Sequence, residues 1–215
     1  MTRITLTAAF TVACVAALGL TGCKIVKTRP ADEQAPATDA SGDDARIASI
    51  LAESFDARLL PLIAEKGRPV ADVRAAIAAG IDGAGGSRGP GGGAPWNFAV
   101  KGQGKVTAAN LTSRARTLDV DTDGDGKGDL TLQLGPVVKG TSLRDFAPQV
   151  YDFTAFRDQI EFAKLGRALN DRAAGALTVP EGDPTGKDVT FTGVVPLKKA
   201  DDPWLVMPVT LTVAP

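Results

Sequence analysis

One stretch carries most of the chemistry in this chain: Asp121-Thr122-Asp123-Gly124-Asp125-Gly126-Lys127-Gly128-Asp129. Carboxylates at loop positions 1, 3, 5 and 9, with glycine at 6, match most of the spacing by which a turned loop converges oxygens on calcium. In that reading Asp121, Asp123, Asp125 and Asp129 offer side-chain oxygens, and Lys127 offers its backbone carbonyl. The helix-flanked form of the loop needs a bidentate acid at position 12, where this chain has Leu132. The flanks also alternate as strands do, which resembles the calcium loops of extracellular β-propeller repeats. The competing reading is a polar hairpin turn in which Asp and Gly supply turn conformations. A structural calcium ion is the expectation, because four acids in nine residues repel one another without a cation.

A second group of donors lies further along, at Thr141, Ser142, Arg144 and Asp145, near an expected helix start. With Trp96 and Arg114 it makes a candidate cradle for an anion or sugar hydroxyls. The alternative is local: Arg144 pairs with Asp145, and Ser142 caps a short helix. Paired carboxylates, such as Asp145 with Asp152 or Glu161, would be required for a carbohydrate-acting hydrolase. Other chemistry is scarce. The chain has no histidine, and its two cysteines, Cys14 and Cys23, both lie near the N-terminus. There is no serine–base pair, so a non-enzymatic protein is expected.

The start of the chain bears on location. Arg3 precedes an uncharged apolar run from Ile4 to Leu20, which then meets Leu20-Thr21-Gly22-Cys23. The run is short for a membrane span and reads as a secretory signal covering residues 1–22. Its end resembles a bacterial lipobox, so Cys23 is expected to be lipidated and to become the first mature residue. Acylation at one residue with several chains anchors a protein to a membrane stably. By analogy with lipoprotein sorting, Lys24 after the cysteine favours the outer membrane where there is one. Residues 23–44, with Pro30, Pro36 and small polar residues, read as a flexible tether.

The elements that must position these residues follow from periodicity. Helix spacing runs from Ala45 to Ala79 through Ile47, Ile50, Leu51, Phe55, Leu59, Leu62 and Ile63. Gly67 and Pro69 break it, and Val70, Val73 and Ile77 mark a second short helix. The helical segment is placed at residues 45–82. Residues 83–94 form a loop with seven glycines between Gly83 and Gly93, where no regular element is expected. Two-residue alternation then places strands near 96–113, 114–121 and 129–134. A long helix over Tyr151–Ala176 follows, with Phe153, Phe156, Ile160, Ala163 and Leu169 expected to face the core. Strands near 189–195 and 204–213 close the chain.

Three strands, a helix and two strands is the order of the OB-fold, a five-stranded Greek-key barrel with its helix between strands 3 and 4. The expected class is α+β, N-terminal helices followed by this barrel over residues 95–215; a plain α+β sandwich has the same element order. The near-neutral balance of 24 Lys+Arg against 25 Asp+Glu gives no basic groove, so no nucleic-acid partner is expected.

The Gly22-Cys23-Lys24-Ile25-Val26 start, the Ser113-Arg114 strand, Gly135-Pro136 through Gly140-Thr141-Ser142-Leu143-Arg144-Asp145, and the run Phe153 to Asn170 including Gln159 resemble a known family. It is that of bacterial predicted periplasmic lipoproteins, domain of unknown function 2291. The resemblance covers most of the mature chain, and its most specific piece is Gly-Thr-x-Leu-Arg-Asp. It implies no assigned activity. Frequent proximity to sugar-type ABC importers implies a helper role toward importer components or a small sugar-like ligand. A structural envelope lipoprotein without a ligand is the remaining alternative. The glycine stretch at 83–93 is longer than the resemblance leads one to expect.

Overall fold

The computed structural model describes residues 38–215. Cys14, Cys23, the signal segment and the first part of the tether lie outside the described residues.

Asp39 opens the fold by accepting the Ser41 amide, and a 3-10 turn over Ala40–Gly42 leads into α1, Asp43–Ser54. Asp43 and Asp44 occupy its first turn, where the helix dipole favours negative charge. The helix therefore starts earlier than its apolar period predicts, and Asp43 is buried. A π-type turn over Phe55–Leu59 joins α1 to α2, Leu60–Lys66. Its cause lies in the sequence: Pro61 has no N–H for the helical ladder, and the Leu60 amide reaches back to the Phe55 carbonyl. Ile47, Phe55, Leu59 and Ile63 form the buried stripe.

Gly67 ends α2, and a two-residue strand β1, Arg68–Pro69, pairs in parallel with the start of the barrel. α3, Val70–Ala79, buries Val70, Val73 and Ile77 as the spacing predicts. The glycine-rich loop contradicts the expectation that it holds no regular element. Within it β2, Ser87–Arg88, pairs antiparallel with Asn97 and Trp96. Glycine makes that approach possible, because a Cβ on Gly86 would stand 2.7 Å from the Phe98 ring and one on Gly89 2.6 Å from Asp145.

Five long strands follow: β3 (Trp96–Asn110), β4 (Ala115–Asp121), β5 (Leu130–Pro136), β6 (Asp188–Leu197) and β7 (Leu205–Val213). Antiparallel pairing joins β3 to β4, β4 to β5, β7 to β6 and β6 back to β3; β5 and β7 pair in parallel. The sheet is thus a closed five-stranded barrel. Closure relies on β3, whose first part, Trp96 to Lys105, pairs with β6 while Lys105 to Asn110 pairs with β4. Gly104 lies at that switch, where an added Cβ would fall 2.1 Å from the Asp121 carbonyl oxygen, so only glycine fits.

Two cores result. The barrel interior holds Phe98, Val100, Val106, Leu118, Val120, Leu132, Phe191, Val195 and Val206. Ala99, Val194 and Met207 point the other way, into a second core with Phe55, Leu59, Ile63, Leu143, Phe162, Leu165 and Leu169. The helices that supply this second core therefore cover one side of the barrel, whereas α3 packs Val70, Val73 and Ile77 with the barrel interior.

The long helix differs from its expected form. α4 is short, Ser142–Phe146, and α5 runs over Gln159–Ala176, eight residues shorter at its start than Tyr151–Ala176. Asp152 accepts the Thr154 amide to begin a 3-10 turn over Phe153–Ala155, and Asp158 accepts the amides of Ile160 and Glu161 to begin α5. Two N-caps six residues apart start two elements. The inward face is consequently Phe162, Leu165, Leu169 and Ala173, whereas Ile160 is 67% exposed and Ala163 also faces solvent. Leu169 points inward as expected, and Phe153 and Phe156 pack edgewise and tilted against Phe162 with ring centroids 5.2 and 5.1 Å away.

Candidate functional site

The aspartate loop tips the β4–β5 hairpin. Asp121 ends β4 and turns inward, accepting the amides of Gly124 (2.7 Å), Gly126 (2.8 Å) and Asp123 (3.2 Å). Those amides hold its carboxyl below the usual carboxylate range, against a smaller opposing effect of burial. Positive φ at Gly124 and Gly126 lets the chain coil around it. Asp123 accepts from Asp125, and Asp125 accepts from Lys127. Asp129 accepts from the Thr122 amide and hydroxyl and pairs with Arg74 at 2.7 Å.

Oxygens of Asp121, Asp123 and Asp129 lie within 4.8 Å of one another. Asp125 lies outside that group, and Lys127 enters the loop's hydrogen bonding through its amide. Three carboxylates supply fewer than the six to eight oxygens that calcium takes, so carbonyls or water would have to complete the shell. Arg74 already neutralises one of the three.

Thr141, Arg144 and Asp145 bond to one another. Arg144 donates to Asp145 (2.8 Å), to the Phe162 carbonyl (2.9 Å) and to the Thr141 hydroxyl (3.2 Å), and its guanidinium covers the Phe162 ring at 3.9 Å. The Thr141 hydroxyl donates to Asp145 at 2.7 Å. These groups fasten α4 to α5, and Ser142 is the buried first residue of α4 rather than its cap. Trp96 stands apart from them: its indole N–H donates to Asp82, and Arg88 stacks on its ring at 4.7 Å.

Two residues of the expected cradle, Arg114 and Thr141, line a cleft of about 630 Å³ beside α5. Arg116, Arg167, Asn170 and Asp171, which sequence reasoning missed, line it too. Arg116 lies in β4 opposite Gly135, whereas Arg114 lies in the bend just before that strand, not in the strand expected at Ser113-Arg114, and its carbonyl accepts the Val137 amide at 2.9 Å. Ala163, Arg167, Asn170 and Ala174 follow at steps of four, three and four on one face of α5. That face approaches its neighbours through missing side chains: a Cβ on Gly166 would stand 2.7 Å from Thr141, and one on Gly135 2.7 Å from Ala174.

The description "predicted periplasmic lipoprotein (DUF2291)" matches residues 13–212, which include Cys23. The chain belongs to this family. A crystal structure of an OB-fold protein from Thermotoga maritima is similar over 80% of this chain and 98% of that one, at 14% identity and a TM-score of 0.56. At that identity the likeness shows the fold, and it agrees with the closed barrel read from the strand pairing. A search of curated proteins finds no match.

In this periplasmic lipoprotein the acids considered for hydrolysis hold other partners. Asp145 is bound to Arg144 and Thr141, and Asp152 caps its 3-10 turn. Glu161 accepts from Arg46 and from the Arg157 amide. It belongs to an ionic knot of buried carboxylates and part-exposed cations that also joins Asp43 to Arg46, Arg157 and Lys164, tying α1 to α5. Burial works against ionisation of Asp43, yet Lys164 and Arg157 outweigh it and set its pKa below the ordinary value.

Proposed function

We propose that the lipoprotein is a non-enzymatic binding module, anchored through lipidated Cys23, whose ligand occupies the cleft between α5 and the segments around Arg114 and Thr141. The observation that carries this reading is the cleft itself, of a size suited to a small molecule and lined by polar side chains from α5, β4 and the segments beside them. In this reading the Thr141–Arg144–Asp145 cluster shapes the cleft wall, and Trp96 and Ser142 serve the fold. The absence of histidine from the chain, and the other engagements of Asp145, Asp152 and Glu161, support binding over hydrolysis. Service to a sugar-type ABC importer, and residence in the outer membrane, are the finer parts of the proposal. A structural calcium ion at Asp121, Asp123 and Asp129 belongs to it as well.

The test is a thermal-shift panel of sugars, sugar derivatives and divalent ions on the full-length lipoprotein in detergent. A ligand that raises the unfolding midpoint, and no longer does so in Arg114→Gln/Arg167→Gln, is the expected result. No shift across the panel would overturn the reading in favour of a purely structural envelope protein. Crosslinking that recovers importer components in cells tests the transport part separately.

A further inference from the structure

Among the described residues, Asn170 Oδ1 is the buried side-chain polar atom that lacks a hydrogen-bond partner. Asn170 is 5% exposed and lines the cleft. Its orientation is fixed, because Nδ2 donates to the Gly140 carbonyl at 2.8 Å; exchanging the two amide atoms would set oxygen against oxygen. Oδ1 is therefore an acceptor in want of a donor. Buried acceptors in native proteins are nearly always paired, and an exception calls for a partner the chain itself does not supply.

The charges around it point to the rest of that partner. Arg46, Arg74, Arg144, Arg157 and Arg172 each face a carboxylate elsewhere in the molecule. Arg114, Arg116 and Arg167, which line the cleft, form no ion pair among the described residues. Arg116 donates Nε to the Gly135 carbonyl at 2.7 Å, which steadies the guanidinium without neutralising it. Asp171 is the lone carboxylate of the lining. Three guanidinium groups against one carboxylate make a local positive site in a chain whose formal net charge is −1.

We infer that the cleft takes a small water-soluble anion with hydroxyl groups on the same frame: a sugar acid or a sugar phosphate. The arginines receive its carboxylate or phosphate, for which the planar guanidinium fork is suited. A ligand hydroxyl donates to Asn170 Oδ1. A cleft of about 630 Å³ has room for such a frame as well as the anionic group. Oδ1 itself has almost no solvent contact, so a donor can reach it only where the cleft wall gives way to it. This inference rests on the cleft being the ligand site proposed above, and it adds the ligand's charge and its donor.

Titration calorimetry on the full-length lipoprotein in detergent tests it with glucuronate, glucose 6-phosphate, glucose and inorganic phosphate. One or both sugar anions bind, and glucose and inorganic phosphate bind at least about tenfold more weakly. Whichever sugar anion binds tighter tells carboxylate from phosphate. Arg114→Gln/Arg167→Gln, at exposed positions, weakens the sugar anions at least about tenfold, as does raised salt. Asn170→Leu, checked for folding by circular dichroism, brings the sugar anions down to the level of inorganic phosphate. Should that variant unfold, the arginine pair and the salt dependence still decide the matter.

Glucose binding as tightly as its anions would overturn the inference and leave the binding module standing. Binding of none of the probes, together with a blank thermal-shift panel, would overturn both. Binding confined to phosphatidylglycerol vesicles, lost in the arginine variant, would replace the soluble anion with a membrane surface.

Discussion

The tip of the β4–β5 hairpin and the cleft beside α5 lie at opposite ends of the same two strands, and they treat polar groups in contrary ways. At the tip, acids and amides within nine residues satisfy one another, and Arg74 adds the one long-range pair. At the cleft, residues from three separate stretches of chain leave three arginines outside any ion pair and one buried oxygen without a donor among the described residues. A motif dense in chemistry can thus be complete in itself. The cleft proposed for binding is marked instead by what its own chain leaves unanswered.

The comparison breaks first if α5 is not the support of the cleft. Leu169→Ala removes a fully buried side chain beneath the Arg167–Asn170 face and should cost about 3 kcal/mol in urea unfolding, with ligand binding lost alongside. An unchanged midpoint would mean that the cleft does not depend on this packing. At the hairpin tip, Asp121→Ala strips the acceptor from three amides. Hydrogen exchange at Gly124 and Gly126 should quicken roughly tenfold or more, while the cleft residues keep their rates. Spread of the effect to Asn170 would show that the two ends are coupled.

Acid sharpens the contrast. Asp43 and Asp121 both have folded pKa values below the ordinary one, so their contribution is complete at neutral pH. It is lost as pH falls below about 4, through the folded values, because the unfolded chain then binds more protons than the folded one. Unfolding midpoints measured between pH 7 and 3 should fall in that last interval, and Asp43→Asn should flatten the drop. Arg114→Gln/Arg167→Gln is expected to move stability by less than about 0.5 kcal/mol while removing binding, since both side chains are exposed. Calcium should give the smallest effect. Arg74 competes for Asp129, so millimolar calcium should raise the midpoint by only about 1–2 °C, and the rise should vanish in Asp121→Ala/Asp123→Ala. No rise at all would leave the loop as a turn alone.

Much of the fold was legible because it rests on local signals. Alternation located all five barrel strands, and their order with the intervening helix implied the OB arrangement. The register of α5 was not legible from apolar spacing, since Ile160 and Ala163 suit a helix face as well as Phe162 and Leu165 do. The Asp158 cap decided it, and a cap was there to be read. The cleft was harder. Arg114 and Thr141 were found, but Arg167 and Asn170 look like an ordinary solvated helix face until α5 is laid against Gly135 and Thr141. Glycine misled in its own way: density at 83–93 suggested a structureless loop, whereas Gly86 and Gly89 are the positions that let the loop lie down on Phe98 and Asp145.

The ionic knot around Asp43 has a mechanical side. It stands at the first turn of α1, a few residues into the described chain, and its cationic partners Arg157 and Lys164 lie just before and within α5. Under the proposed anchorage through Cys23, tension would enter the fold there and load the helix that walls the cleft before it reached any barrel strand. A protein tethered as proposed would feel a tug on its leash first beside its proposed ligand cleft.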